Sequence, residues 1–175
     1  MAEYLDTVAD ENLNIAHVLE PDNDPPPPDG TVLIGPGAQQ RLFMIRDRNK
    51  LCFSKHWEYH KDRASNWPFQ FELQIGDGSQ EALNGLMTDQ SIFVWSEDQT
   101  WQILGQGADA YVPLPVPLSH GLLARWCLCS GDGRIFFLAK DGIYQQQGLM
   151  QQKITGDLDP FFIDETVHGI LPLGR

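Results

Sequence analysis

The sequence predicts an all-β chain of repeated β-hairpin units that resemble β-propeller blades, preceded by a short N-terminal arm of low regular structure. Three observations carry this. One segment recurs three times, as RLFMIRDRNKLCFS (41–54), SIFVWSEDQTWQIL (91–104) and RIFFLAKDGIYQQQ (134–147), each with an aromatic in third place. From Thr31 onward the chain consists of short apolar segments punctuated by turn residues, and no helix-period segment of convincing length interrupts them.

Each copy reads as a β-hairpin, because aromatic and β-branched residues favour strands while Asp-Gly and similar pairs supply tight-turn backbone angles. Asp141-Gly142 is the clearest such turn. Eight places after the shared aromatic comes another apolar residue, so that Phe43 is set against Leu51, Phe93 against Trp101 and Phe136 against Tyr144. The copies begin 50 and 43 residues apart, a period expected of propeller blades rather than of helical solenoids.

Taken in order, residues 1–30 form an acidic, Pro-rich arm. Leu5, Val8, Ile15, Val18 and Leu19 have partly helical spacing, and PDNDPPPPDG (21–30) then breaks regular structure, since consecutive prolines fix φ and donate no hydrogen bonds. Residues 31–175 form the β-repeat domain, and the strand-like patch in the tail DPFFIDETVHGILPLGR suggests part of a longer chain or a sheet completed by a neighbouring subunit. Gly76-Asp77-Gly78 and Gly131-Asp132-Gly133 read as turns; neither has the spacing of a phosphate loop. YVPLPVPLSHG (111–121) alternates proline with apolar residues, which excludes a central strand and suggests an extended connector.

A chain of 175 residues has room for one domain with a real core. No apolar run approaches the roughly 20 residues that cross a bilayer, and the amino terminus lacks the basic start and apolar run of a secretory signal. The expectation is no membrane partner and assembly in the cytoplasm.

The net charge of −12 is unevenly placed. Residues 1–30 carry eight acids and no base, residues 41–63 carry seven bases against three acids, and residues 64–175 carry five bases against thirteen acids. The basic stripe contains Arg46, Arg48 and Lys50 and interleaves Trp57 and Tyr59. These residues, with Trp101, are the candidates for partner or inter-subunit contact. An acidic whole disfavours general DNA binding, because phosphate contact supplies most non-specific affinity; a solvated hairpin face is the plainer reading of the stripe.

Cys52, Cys127 and Cys129 are an odd number and do not make a disulfide framework; they read as small apolar residues. His56 and His60 are four apart, but their neighbours argue against the helix that would align them. No metal or cofactor is expected. The sequence has no G-x-S-x-G, Ser119-His120 are adjacent and would face opposite ways on a strand, and no acid pair, Glu72 with Asp77 or Glu97 with Asp98 included, stands above the rest. No catalytic residue is named, and the chain is expected not to be an enzyme.

The run from PPPPDG through Phe53-Ser54, Trp67-Pro68, Gly85-Leu86 before Phe93, Leu104-Gly105, and Phe136 to Asp141-Gly142-Ile143-Tyr144 resembles virion structural proteins of tailed phages and prophages. The similarity covers roughly residues 20–165. In that family a Pro-rich step precedes a strand, an FS…WP element closes the first hairpin, and a DG-turn hairpin is followed by a lysine-containing segment. Where the family has a CVS-x-RS element this chain reads SHGLLARWCLCSGDG, which leaves the loop before Arg134 outside the resemblance.

The resemblance implies a non-enzymatic component of a phage tail, nozzle, hub or head-to-tail connector, located in the virion. Its expected partners are other virion proteins and copies of itself in a homo-oligomeric ring, with DNA passing an acidic lining without tight binding. Such proteins are generally longer, so the chain is read as one propeller-like module or a shortened relative. The alternative is a ligand- or glycan-binding β-propeller module, in which Trp57, Trp67, Trp95, Trp101 or Trp126 stacks on sugar rings.

Overall fold

A computed structural model describes residues 24–36, 40–56, 66–88, 91–105, 111–158 and 162. Their strands form three antiparallel four-stranded sheets, each with its strands in chain order. Sheet 1 holds β1 (Val32–Ile34), β2 (Phe43–Arg46), β3 (Lys50–Phe53) and β4 (Glu72–Gln74). Sheet 2 holds β5 (Ala82–Met87), β6 (Ile92–Ser96), β7 (Thr100–Leu104) and β8 (Val112–Pro115). Sheet 3 holds β9 (Leu128–Gly131), β10 (Arg134–Ala139), β11 (Gly142–Gln147) and β12 (Met150–Lys153). Each recurrent segment supplies the two middle strands of one sheet, and a flanking strand pairs on either side.

The hairpins differ in their turns, and this corrects the residue matching read from sequence. Arg46 pairs with Lys50, Trp95 with Thr100 and Ala139 with Gly142, which leaves three, four and two residues in the respective turns. The residue opposite Phe43 is therefore Phe53, opposite Phe93 is Gln102, and opposite Phe136 is Gln145. Because successive side chains alternate faces, Leu51 shares a face with Phe43, whereas Trp101 and Tyr144 lie on the faces away from Phe93 and Phe136. An eight-residue spacing is common to all three, but turn length decides which face it reaches.

Sheet 2 lies between the other two. All five residues of β6 are buried, and their alternation divides them between two cores. Ile92 and Val94 pack with Phe43, Ile45, Leu51 and Phe53 of sheet 1. Phe93 and Trp95 pack with Ile135, Phe137, Ala139 and Tyr144 of sheet 3. Burying each such side chain contributes roughly 1.5–3 kcal/mol, so both junctions have a substantial apolar drive. At the first junction Gly85 is required by close approach, since a Cβ there would overlap Ile34 Cδ1. Polar backbone ties recur at both: the Ala82 N–H donates to the Arg48 carbonyl (2.7 Å) and the Leu122 N–H to the Ser96 carbonyl (2.9 Å).

Residues 112–115, read as a connector, form the edge strand β8 of sheet 2. Pro113 and Pro115 have no N–H to offer a further strand, and an edge position tolerates that. Of the arm, residues 1–23 lie outside the described residues, as do His60 and, Phe162 apart, the strand-like tail from Asp159 onward. Residues 24–30 run along sheet 1: the Trp67 N–H donates to the Asp24 carbonyl (2.8 Å), and a Cβ on Gly30 would overlap Met44 Sδ.

Candidate interaction surface

The face of sheet 1 turned away from sheet 2 carries Arg46 and Lys50, because Ile45 and Leu51 on the opposite face fill the core. Arg46 Nε lies 3.1 Å from Asp29 Oδ2, and its Nη1 lies 3.9 Å from Glu72 Oε2. Lys50 Nζ lies 3.1 Å from both Asp47 and Glu72 carboxylates, and these hydrogen bonds, Glu72 first, raise its pKa. Beneath them Cys52 is buried, with its Sγ 3.5 Å from Glu72 Oε2. Burial, then the Glu72 charge, pushes the Cys52 thiol up to about 12. Arg48 occupies the hairpin turn at φ 70°, a conformation uncommon for a side chain of its kind. The basic stripe is thus interleaved with Asp29, Asp47 and Glu72, which offset the charge a phosphate backbone would seek.

Trp57 and Tyr59 lie outside the described residues. Trp101 packs against the core between sheets 1 and 2, on the far side of sheet 1 from Arg46 and Lys50. The described contact candidates therefore form two separate places rather than one patch.

Trp101 lines a groove of about 450 Å³ between sheets 1 and 2, together with Gln74, Asp77, Ser79, Gln80 and Gln99. Gly76, at φ 65°, lets the loop after β4 lie against the indole, since a Cβ there would come 3.0 Å from Trp101 Cζ2. Asp77 accepts from the Ser79 hydroxyl (2.6 Å) and N–H (2.9 Å), which hold its carboxyl below the usual range. Gln80 donates to Asp98 (3.0 Å) and accepts from Ser96 (2.7 Å). An aromatic face beside amides and hydroxyls suits a neutral, hydroxyl-rich ligand.

The junction of sheets 2 and 3 holds a polar network that was not read from the sequence. Gln146 is fully buried. Gln151 Nε2 donates to Gln146 Oε1 (2.8 Å) and to Thr100 Oγ1 (3.0 Å), while Gln151 Oε1 accepts from the His120 N–H (2.7 Å). The His120 ring stacks on Tyr144 at 4.1 Å between centroids, and the Tyr144 hydroxyl donates to Asp141 (2.7 Å). Partial burial pushes the Asp141 carboxyl up, but the Tyr144 hydroxyl, Lys153 and His120 outweigh it and hold the carboxyl below its usual value. Ser119 accepts from the Thr100 N–H (3.0 Å) and makes no bond to His120. The acids weighed as pairs have other partners: Glu72 holds Arg46 and Lys50, and Asp98 holds Gln80 and Lys140.

Arg41, also unmarked by sequence beyond its charge, is buried at 8 % exposure. Its guanidinium donates to the Ser54 carbonyl (2.6 Å) and lies 5.8 and 5.7 Å from the Phe53 and Phe71 ring centroids. Burial lowers its pKa. Among the described residues no three His, Cys, Asp or Glu side chains gather as a metal ion would need.

A scan against protein-family models finds no match to this chain, and a comparison with curated proteins finds none either.

Proposed function

We propose that the chain is a non-enzymatic structural and assembly protein of a phage virion, a tail or connector component whose sheets serve as propeller-like blades. The observation that carries this reading is the succession of three four-stranded antiparallel sheets, each in chain order, with the middle one packed on both faces. Sheets of this form stack radially in propellers, and a run of three leaves terminal faces and edges that assembly would cover. Exposed Phe69, Leu118 and Trp126, at 81, 97 and 81 % exposure, add apolar contacts of the kind that anchor protein partners. The acidic balance of −12 fits passage of DNA without tight binding.

The test is the protein content of purified particles from the host that carries the gene. Fixed-stoichiometry recovery of the chain, and defective particles on its deletion, are expected; intact infectious particles lacking the chain would remove the reading. The groove at Trp101 favours a second reading, a glycan-binding module. Quenching or enhancement of tryptophan fluorescence by a member of a glycan panel, abolished in Trp101→Ala, would support it.

A further inference from the structure

Sheet 3 turns Ile135, Phe137 and Ala139 back to sheet 2, so the alternation along β10 points Phe136 and Leu138 the other way, onto an outer face. Cross-strand neighbours carry that face from one edge of the sheet to the other. Leu138 stands opposite Ile143, whose carbonyl accepts from the Ile154 N–H (2.9 Å), and the Leu138 N–H donates to the Cys127 carbonyl (3.0 Å). One row, from Cys127 before β9 to Ile154 after β12, is therefore wholly apolar. In the next row Cys129 and Phe136 are followed by Gln145 and Gln152, and the third holds Arg134 and Met150. Phe136, Leu138 and Ile143 belong to neither core, and Ile154 and Met150 are 49 and 80 % exposed. A contiguous apolar face of this kind is normally covered.

The chain itself leaves the sheet at the apolar row. Directly after Ile154, Thr155 is buried and its hydroxyl accepts from the Ile143 N–H (3.1 Å), and a short turn of 3-10 helix, Gly156–Leu158, follows. Residues 159–175 then bring the run Phe161-Phe162-Ile163. Three residues beyond Leu158 span about 10 Å when extended, and the sheet measures about 14 Å from its first strand to its fourth, so the run lies within reach of the row. Phe162, the one described residue of the segment, is half-buried, where a ring held in water would be exposed. Asp164 and Glu165 come next. They are opposite in charge to Arg134, the base of this face, which is exposed and donates to Gln145 (3.3 Å).

We infer that residues 159–175 fold back over the outer face of sheet 3, with Phe161–Ile163 against Leu138, Ile143 and Ile154 and the acids that follow directed to Arg134. The tether holds the segment at roughly millimolar effective concentration, so burial of a few apolar side chains keeps it in place. The inference goes beyond the virion role and does not depend on it. The segment closes one terminal sheet face within the chain, leaves assembly to strand edges and to exposed Phe69, Leu118 and Trp126, and competes with any partner that seeks this face.

Hydrogen exchange on the full-length protein tests it. Amides of residues 161–165 should exchange at least about tenfold more slowly than in a free peptide of residues 159–175. Ile154→Lys, at a half-exposed position on the face, should return them to the free-peptide rate while β10 and β11 stay protected. Ile163→Lys, in the segment itself, should open the face and raise binding of the apolar dye bis-ANS several-fold, which keeps the test available if Ile154→Lys does not fold. Free-peptide exchange in the wild type overturns the inference, and so does dye binding unchanged by Ile163→Lys. Protection that survives Ile154→Lys also overturns it, since the segment is then held elsewhere. Protection that appears only as protein concentration rises, together with a dimer by light scattering, overturns it in favour of a second copy on this face. Recovery of the chain from particles is decided separately from all of these.

Discussion

Gln151 of β12 donates from one amide nitrogen to Thr100 of β7 at 3.0 Å and to Gln146 of β11 at 2.8 Å, so one side chain joins an edge strand and a middle strand of sheet 3 to a middle strand of sheet 2. Replacing it with alanine leaves the Oε1 of fully buried Gln146 without its donor. Gln151→Ala should lower the unfolding free energy by about 2 kcal/mol, since a stranded buried polar group costs more than the bond itself contributes. Urea titration reads this directly, and a loss below a few tenths of a kcal/mol would mean that water replaces the amide freely.

Gly121 is the most constrained glycine of the second junction. A Cβ there would overlap the peptide between Glu97 and Asp98, which is backbone and cannot swing aside. Gly121→Ala should destabilise the fold by about 3 kcal/mol or more through overpacking, whereas Gly131→Ala, whose Cβ would meet nothing within 4 Å, should cost under about 1 kcal/mol. Parallel thermal melts of the two variants separate a steric cause from a general intolerance of glycine replacement.

Cys52 gives a signal at alkaline pH. Its thiol is raised in the folded state to about 12 from an ordinary value of 9.0, chiefly by burial and then by Glu72. A group raised on folding contributes stability that is present below its unfolded value and is lost as pH rises, here between pH 9 and 12. Cys52→Ala should flatten the alkaline decline relative to wild type. In the folded protein at pH 8, iodoacetamide should label exposed Cys129 well before Cys52; equal rates would contradict the burial of Cys52.

Asp141 gives the opposite sign. Its carboxyl is held below the usual 3.8 in the folded state by the Tyr144 hydroxyl, Lys153 and His120, against the opposing effect of burial. Its stabilisation is present above that ordinary value and is lost as pH falls below it. The side chain is 42 % exposed, so solvent screening leaves a contribution on the order of 0.5 kcal/mol. Asp141→Asn should be less stable than wild type at pH 7, with the difference shrinking towards pH 3 in acid-dependent urea titrations.

The all-β class was legible because its middle strands are apolar and their turns are marked, as in Phe136 to Tyr144 with Asp141-Gly142 between. The flanking strands were harder to read. β12 is MQQK, and β4 is three residues with none fully buried; edge strands that meet solvent lose the alternation that identifies a strand. Nothing in QQQGLMQQ marks one glutamine for the core, yet Gln146 is wholly enclosed, its amide satisfied by Gln151 and the Gly148 carbonyl. Arg41 read as one base of a stripe, whereas its guanidinium is folded in beside Phe53 and Phe71. Composition records such a charge but not the aromatic walls brought to it from residues 12 and 30 positions away.

The burial of β6 on both faces bears on how the molecule comes apart. A stack in which each layer touches only its neighbours behaves as a short one-dimensional array, its stability the sum of layer terms and couplings between adjacent layers. Here the middle layer holds both couplings. A lesion in sheet 1 or sheet 3 weakens one coupling, whereas the same lesion at Val94 or Trp95 acts at the layer that joins the two ends. During synthesis sheet 1 emerges first and its Phe43 face stays uncovered until β6 follows, so the interval between residues 43 and 96 is when the nascent chain most invites a wrong partner.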